Sequence, residues 1–354
     1  MKKHHAGVAL AIAAVLALAA FAIHRWRTSG FNWRQFVGTI RGVDPGWLGV
    51  SLVLILATYV GRALRWEVML RPLTRQARLL QVLSSTCIGF AAVVLFGRAG
   101  EPVRPYLISR KTGVPFSGQV AAWVVERILD LLMVLIIFGI ALTQVSHSAV
   151  RPSPRIETLL QAAGGVAGIT GLISLSLLLG LRQFRGKVQR RLLDALAFLP
   201  EQAMLRVERF IAAFGEGMTS TRSPSFAIEL LMYTAAEWTL IAGAFYCLFR
   251  AVPATAELKL ADVVIVLGFV CLGSVVQIPG VGGGMQIVTV LVLTEFYGIG
   301  LEAASGIALL WWIVGFAIIV PIGLILAFHE GIKWRTLRHI QPLSADGSPA
   351  DRAL

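Results

Sequence analysis

The residues best suited to chemistry in this chain are arginines and carboxylates beside glycine and proline breaks in otherwise apolar sequence. The densest group is Gly97-Arg98-Ala99-Gly100-Glu101-Pro102-Val103-Arg104-Pro105-Tyr106. Arginine offers planar, paired donors to a phosphate, and backbone N–H groups at a helix restart add to them. Arg98, Gly100, Glu101 and Arg104 therefore make a candidate phosphate cradle. The plainer alternative is that Glu101 pairs with an arginine and caps a turn. Glu126-Arg127-x-x-Asp130 comes next. Residues four apart share a helix face, so Glu126 and Asp130 project together. Such a pair is costly beside lipid and calls for a cationic partner or a cavity. Arg62, Arg98 and Arg104 are the natural partners, and a purely structural ion network is the alternative to substrate contact.

The third group is Pro279, Gly280, Gly282, Gly283, Gly284 and Gln286, within Gln277–Gln286. Glycines at this density permit left-handed backbone and close approach of a ligand. Close helix packing enriches small residues as well. Glu237, beside Trp238 in an apolar run, reads as a buried hydrogen-bonded carboxylate or as a proton-coupling site. No P-loop, dinucleotide fingerprint, H-E-x-x-H or G-x-S-x-G occurs, which argues against an ATPase or a metalloprotease. The histidines lack metal spacing. Cys87, Cys247 and Cys271 sit singly in apolar runs without C-x-x-C spacing. Neither a metal nor another cofactor is expected.

Apolar helices must position these groups. The chain is 56% hydrophobic and 14% charged, with a mean hydropathy of +0.76, whereas soluble domains carry about a quarter charged residues. A membrane helix needs about 20 mostly apolar residues. Candidate segments fall at 7–23, 46–61, 79–97, 118–143, 158–181, 226–249, 261–278, 284–298 and 303–328. The formal net charge of +13 does not point to nucleic acid, because the basic residues flank the apolar segments as membrane topology requires. Residues 1–23 have the layout of a signal peptide, but the apolar run is long and ends in His24-Arg25-Trp26-Arg27. That favours an uncleaved first span.

If every segment spanned, the basic stretch 182–225 would lie outside, against the positive-inside rule. Letting 79–97 dip in and return keeps 62–117, 182–225 and the C-terminal tail on the cytoplasmic side. The Gly/Pro break after Phe96 supports that re-entrant hairpin, since non-helical backbone at membrane depth survives only inside protein or beside a watery cavity. The segments around the second break are short and read either as two thin spans or as one hairpin. Paired interrupted segments, one in each half, are a pointer to a transporter's central site. The stretches 24–45 and 182–225 read as amphipathic surface segments or plain connectors, and the tail from Gln341 as disordered. The expectation is an all-α, polytopic integral membrane protein with about eight transmembrane helices and one or two re-entrant hairpins. It divides into an N-terminal span and connector over 1–45, a transmembrane domain over 46–328 and a tail over 329–354, with both termini cytoplasmic.

Four motifs in order carry a resemblance. They are Gly61-Arg62 with Arg65-Trp66, Gly97-Arg98-Ala99-Gly100-Glu101 with Arg104-Pro105-Tyr106, Glu126-Arg127 with Asp130, and Pro279-Gly280-Val281-Gly282. Over roughly 46–328 the chain resembles the membrane region of lysylphosphatidylglycerol synthases, a family of flippase-like proteins. Members usually place a Glu soon after the second break, whereas Gly284-Met285-Gln286 follows here. A charge-dependent step at that position is therefore in doubt. The family's lysine-transferring domain has no counterpart in this sequence. The resemblance thus implies translocation or export of a phospholipid or of an aminoacylated, polyprenol-linked or hopanoid lipid across the bacterial inner membrane, and not synthesis. Its partner would be a lipid with an anionic or polar headgroup, with Arg98, Arg104 and the glycines holding it and the tails left in the bilayer. The rivals are a membrane-embedded transferase with Glu126 or Asp130 as base, and a scaffold for a separate lipid enzyme.

Overall fold

The computed structural model describes residues 30–147 apart from 75 and 76, residues 224–332 apart from 275, 276 and 281, and scattered positions between 164 and 212. The expectations for 7–23, for most of 158–181 and 182–225, and for the tail from Gln341 lie outside the described residues. The rest is helical but for one two-residue ladder, pairing Gln277 with Gly283 and Ile278 with Gly282.

A short helix, α1 (Trp33–Arg41), is capped by Asn32, whose side chain accepts from the N–H groups of Arg34 and Gln35. It leads into α2 (Pro45–Leu70), which starts with Asp44 as N-cap and proline in its first turn, the pairing that best satisfies orphan N–H groups. α2 runs nine residues past the apolar segment expected at 46–61. Arg62 and Arg65 therefore lie inside the helix rather than in a loop. A hydropathy window stops early there because it prices each arginine alone, whereas both are neutralised by ion pairs.

α3 (Leu79–Phe96), a 3-10 turn over Gly97–Gly100 and α4 (Val103–Thr112) form a helical hairpin. Its return is fixed by close approaches. A Cβ at Gly100 would stand 2.4 Å from the Ala92 carbonyl carbon, and one at Gly89 would stand 2.5 Å from Arg104 Cβ. At the open end Lys111 Nζ donates to Ser84 Oγ at 2.8 Å and pairs with Glu330 at 2.6 Å.

The long helices α5 (Phe116–His147) and α6 (Pro224–Ala251) follow. α6 lies along α2, tied by Ser51 Oγ donating to the Ala244 carbonyl at 2.8 Å. A second hairpin comprises α7 (Leu260–Gly273), the ladder and α8 (Gly284–Tyr297). Gly273 abuts Gly284 and Val288, while Tyr297 Oη donates to the Asp262 carbonyl at 3.3 Å. Fourteen residues per arm reach about 21 Å at 1.5 Å per residue, short of the roughly 30 Å hydrocarbon core. The two arms pack against each other as a short helical hairpin closed by the ladder. The chain ends in α9 (Leu301–Trp312), a π-turn over Ile313–Ala317 and α10 (Ile319–His329).

Three stretches, Pro45–Leu70, Leu79–Gly100 and Leu301–His329, are long and apolar enough to cross a membrane. α5 and α6 also exceed the roughly 20 residues a span needs. A main apolar core gathers α2, α6, α7, α8 and α9 around Phe245, Phe249, Leu267 and Trp311. A second core around Trp66, Met69 and Val125 closes the Leu70 end of the bundle.

Candidate functional site

Three helices converge their charges at one level. α2 contributes Arg62 and Arg65, α5 contributes Glu126, Arg127 and Asp130, and α6 contributes Glu237. At 1.5 Å per residue, Arg65 and Arg62 stand about 8 and 12 Å from the Leu70 end of α2; Glu126 and Asp130 lie about 15 and 21 Å into α5, and Glu237 about 20 Å into α6. Each charge thus lies well inside its helix and among apolar neighbours, where an unpaired charge is costly.

Arg65 is the hub, and its side chain is fully buried. Nη1 donates to Asp130 at 2.7 Å and to Thr234 Oγ1 at 3.0 Å; Nη2 donates to Glu126 at 2.8 Å and lies 3.3 Å from Glu237. Arg62 pairs with Glu237 at 2.6 Å. Arg127 Nη2 lies 3.2 Å from both Glu126 and Asp130. From the first hairpin, Arg104 presents both terminal nitrogens to Glu126. Its guanidinium centre stacks 3.9 Å from the Trp66 ring, a cation–π contact that helps a buried arginine tolerate desolvation. Gly89 is what admits Arg104, because any side chain there would collide with its Cβ.

The cluster forms one end of a cavity of about 480 Å³, within the range of about 300–1,000 Å³ usual for ligand pockets. Arg62, Arg104, Arg127 and Asp130 reach its charged end, with Arg98 and Glu101 at the same cavity. The remaining wall is mostly apolar, including Val134, Ile241, Phe245, Leu267, Val270 and Phe316, with Thr58, Tyr59 and Ser274 as polar exceptions. Trp238 also lines it, and its Nε1 is buried with no hydrogen-bond partner among the described residues. The π-turn contributes Gly315 and Phe316; such turns often occur at functional sites.

The structure brings Arg62, Arg104, Glu126, Arg127 and Asp130 together. Of the three arginines expected to partner the carboxylates, only Arg104 does so among the described residues; Arg62 pairs with Glu237 and Arg98 with Glu101. Arg98 and Glu101 lie at the same cavity, 3.8 Å apart, with the Arg98 side chain 66% exposed. Gly100 is packed against Ala92 and serves hairpin closure. The residues of the second break sit elsewhere. Pro279 abuts Gly97, and Gly280 N–H donates to the Val94 carbonyl at 2.9 Å. Gly282 and Gly283 form the ladder, Gly284 opens α8, and Gln286 accepts from the Gly283 N–H. The two Gly/Pro breaks therefore meet tip to tip, around a small cavity of about 40 Å³ that adjoins the main one through Val93, Val94, Ser274, Met285 and Phe316. Sequence reasoning missed Arg65 as the hub and left Glu237 and Thr234 outside the site. Their common signal is a polar residue inside an apolar helix at i, i+3 spacing: Arg62 with Arg65, and Thr234 with Glu237.

Residues 7–323 match the family described as the lysylphosphatidylglycerol synthase TM region. That description and the apolar helices make the chain an integral membrane protein. A relative, glycosyltransferase AglD of Haloferax volcanii, is 26% identical over 135 residues, which is 38% of this chain. The chain spans only 21% of that relative's length.

Proposed function

We propose that this chain, which belongs to the family of the lysylphosphatidylglycerol synthase TM region, moves a polar-headgroup lipid between the leaflets of the bacterial inner membrane. The observation that carries the reading is the two-sided cavity: a buried arginine–carboxylate cluster at membrane depth opens directly into an apolar chamber. An ion or small polar solute would gain nothing from the apolar half, and a purely apolar ligand nothing from the charged half. A lipid uses both. In this reading the first part of an acyl chain lies along the apolar wall and the rest stays in the bilayer.

In this reading both hairpins are re-entrant, entering from opposite faces, in a protein of about eight spans. The Leu70 end faces the cytoplasm because Arg71, Arg78, Arg110 and Lys111 cluster there. Arg62, Arg65 and Arg104 drop out of that tally, being enclosed between the helices rather than placed in a connecting loop; the remaining charges still favour the same orientation. Tip contact between the hairpins then divides the two sides.

Reconstituted vesicles carrying a labelled lipid in one leaflet test this. The wild type is expected to exchange the label faster than protein-free vesicles, and Arg62→Gln to slow that exchange at least tenfold. Equal rates with and without protein would remove the function; equal rates for the variant and the wild type would remove the mechanism. The relative named a glycosyltransferase keeps lipid-phosphate transfer as a second reading. Chemically altered lipid in the same assay would favour it. Against it, Glu126 and Asp130 are each already held by two or more guanidinium groups, a poor arrangement for a base that must take a proton.

A further inference from the structure

Resting on the translocation reading, we infer that the cavity selects lipids by net charge: it accepts a headgroup with one net negative charge and rejects a cationic, lysylated one. Among the described residues the ion network holds four arginines (Arg62, Arg65, Arg104 and Arg127) against three carboxylates (Glu126, Asp130 and Glu237). The Arg98–Glu101 pair adds no net charge. One positive charge is left over inside the helix bundle, where it is poorly screened and favours an anion.

The donors point the same way. Every carboxylate of the network already faces at least one guanidinium, and Glu237, whose oxygens make no hydrogen bond among the described residues, does not line the cavity. Arg62 and Arg127, by contrast, use only Nη2 in ion pairs among the described residues. Both line the cavity. The Arg127 side chain is 42% exposed and that of Arg62 15%, so their remaining N–H groups are the natural anchors for a phosphate. A phosphodiester supplies the single negative charge that neutralises the cluster. A zwitterionic headgroup supplies none in net. A lysyl ester of a phosphodiester lipid brings two ammonium groups against one phosphate and would double the excess. The family is named for a lysylated lipid, but this cavity's charge opposes one.

The test is competitive lipid binding to the purified full-length protein in zwitterionic nanodiscs, with phosphatidylglycerol, phosphatidylethanolamine and lysylphosphatidylglycerol as probes. Phosphatidylglycerol is expected to bind at least tenfold more tightly than the lysylated lipid, with phosphatidylethanolamine between them. The chain's net charge of +13 attracts anionic lipid to its surface in any case, so Arg127→Gln supplies the cavity control. It cancels the excess charge and should shrink the preference to threefold or less. Asp130→Asn raises the excess and should widen it. Preference for the lysylated lipid, or a preference unchanged in both variants, would overturn the inference while leaving translocation standing. No saturable binding of any lipid would remove both. Inorganic phosphate should compete no better than chloride; effective competition would reassign the site to a free anion and also overturn the proposal.

Discussion

Replacing Arg65 with methionine tests whether the charged cluster is one coupled unit. The Arg65 side chain is fully buried and serves Glu126, Asp130 and Glu237. After its loss Glu237 keeps Arg62, and Glu126 keeps Arg104 and Arg127. Asp130 loses its 2.7 Å partner and retains only Arg127 at 3.2 Å. Breaking a buried pair from one side costs about 3–5 kcal/mol. At about 2 °C per kcal/mol, the lower end of the scaling for soluble domains, Tm should fall by about 6–10 °C. Arg71→Met is the control: Arg71 pairs with Glu229 on the surface, with the two side chains 46% and 34% exposed, and such pairs contribute about 0–1 kcal/mol. Arg65→Met combined with Asp130→Asn removes the stranded charge and should recover about 0.5–3 kcal/mol of the loss. Thermal unfolding in detergent, followed by the fluorescence of the nine tryptophans, reads all four proteins. If Arg65→Met and Arg71→Met unfolded within about a degree of each other, the buried-hub argument would be wrong, given the several-degree gap it requires.

Gly100→Ala and Gly323→Ala should each lower Tm by several degrees, since their Cβ atoms would stand 2.4 Å from Ala92 backbone and from Ala91 Cβ respectively; Gly61→Ala, with nothing within 4 Å, should leave it unchanged. Gly280 has φ +71 with open space around it, so Gly280→Ala should cost only the left-handed backbone penalty of about 1–2 kcal/mol, and Gly282→Ala more, because it also meets the Gln286 side chain. A cysteine in place of the exposed Arg110 should react with a membrane-impermeant maleimide only from the cytoplasmic side; labelling of intact cells from outside would reverse the proposed orientation of the first hairpin.

How much of the site was legible depends on the range of the interaction that defines each part. Glu126 and Asp130 were readable together because i, i+4 spacing is local. The helix breaks at Gly97 and Pro279 were readable because glycine and proline act on their own backbone. Arg65 was not readable as a hub, since its partners lie 61, 65 and, for Thr234, 169 residues away. Arg104 was expected to hold a headgroup. In the fold Glu126 takes both its terminal nitrogens, a pairing that spacing along the chain does not reveal. Gln286 was read as a candidate ligand contact, and the fold uses it to cap the ladder at Gly283.

By itself, then, the sequence determined that the chain lies in a membrane, that its helices break at two Gly/Pro turns and that charged residues sit inside apolar helices, because composition, periodicity and backbone preference are properties of short stretches. Only the tertiary structure decided that the breaks meet each other, that four arginines and three carboxylates share one network, and that this network opens into an apolar chamber. Each of those depends on distances between segments far apart in the chain, set by close approaches at Gly89, Gly100 and Gly323, where the missing side chain is what lets the helices touch.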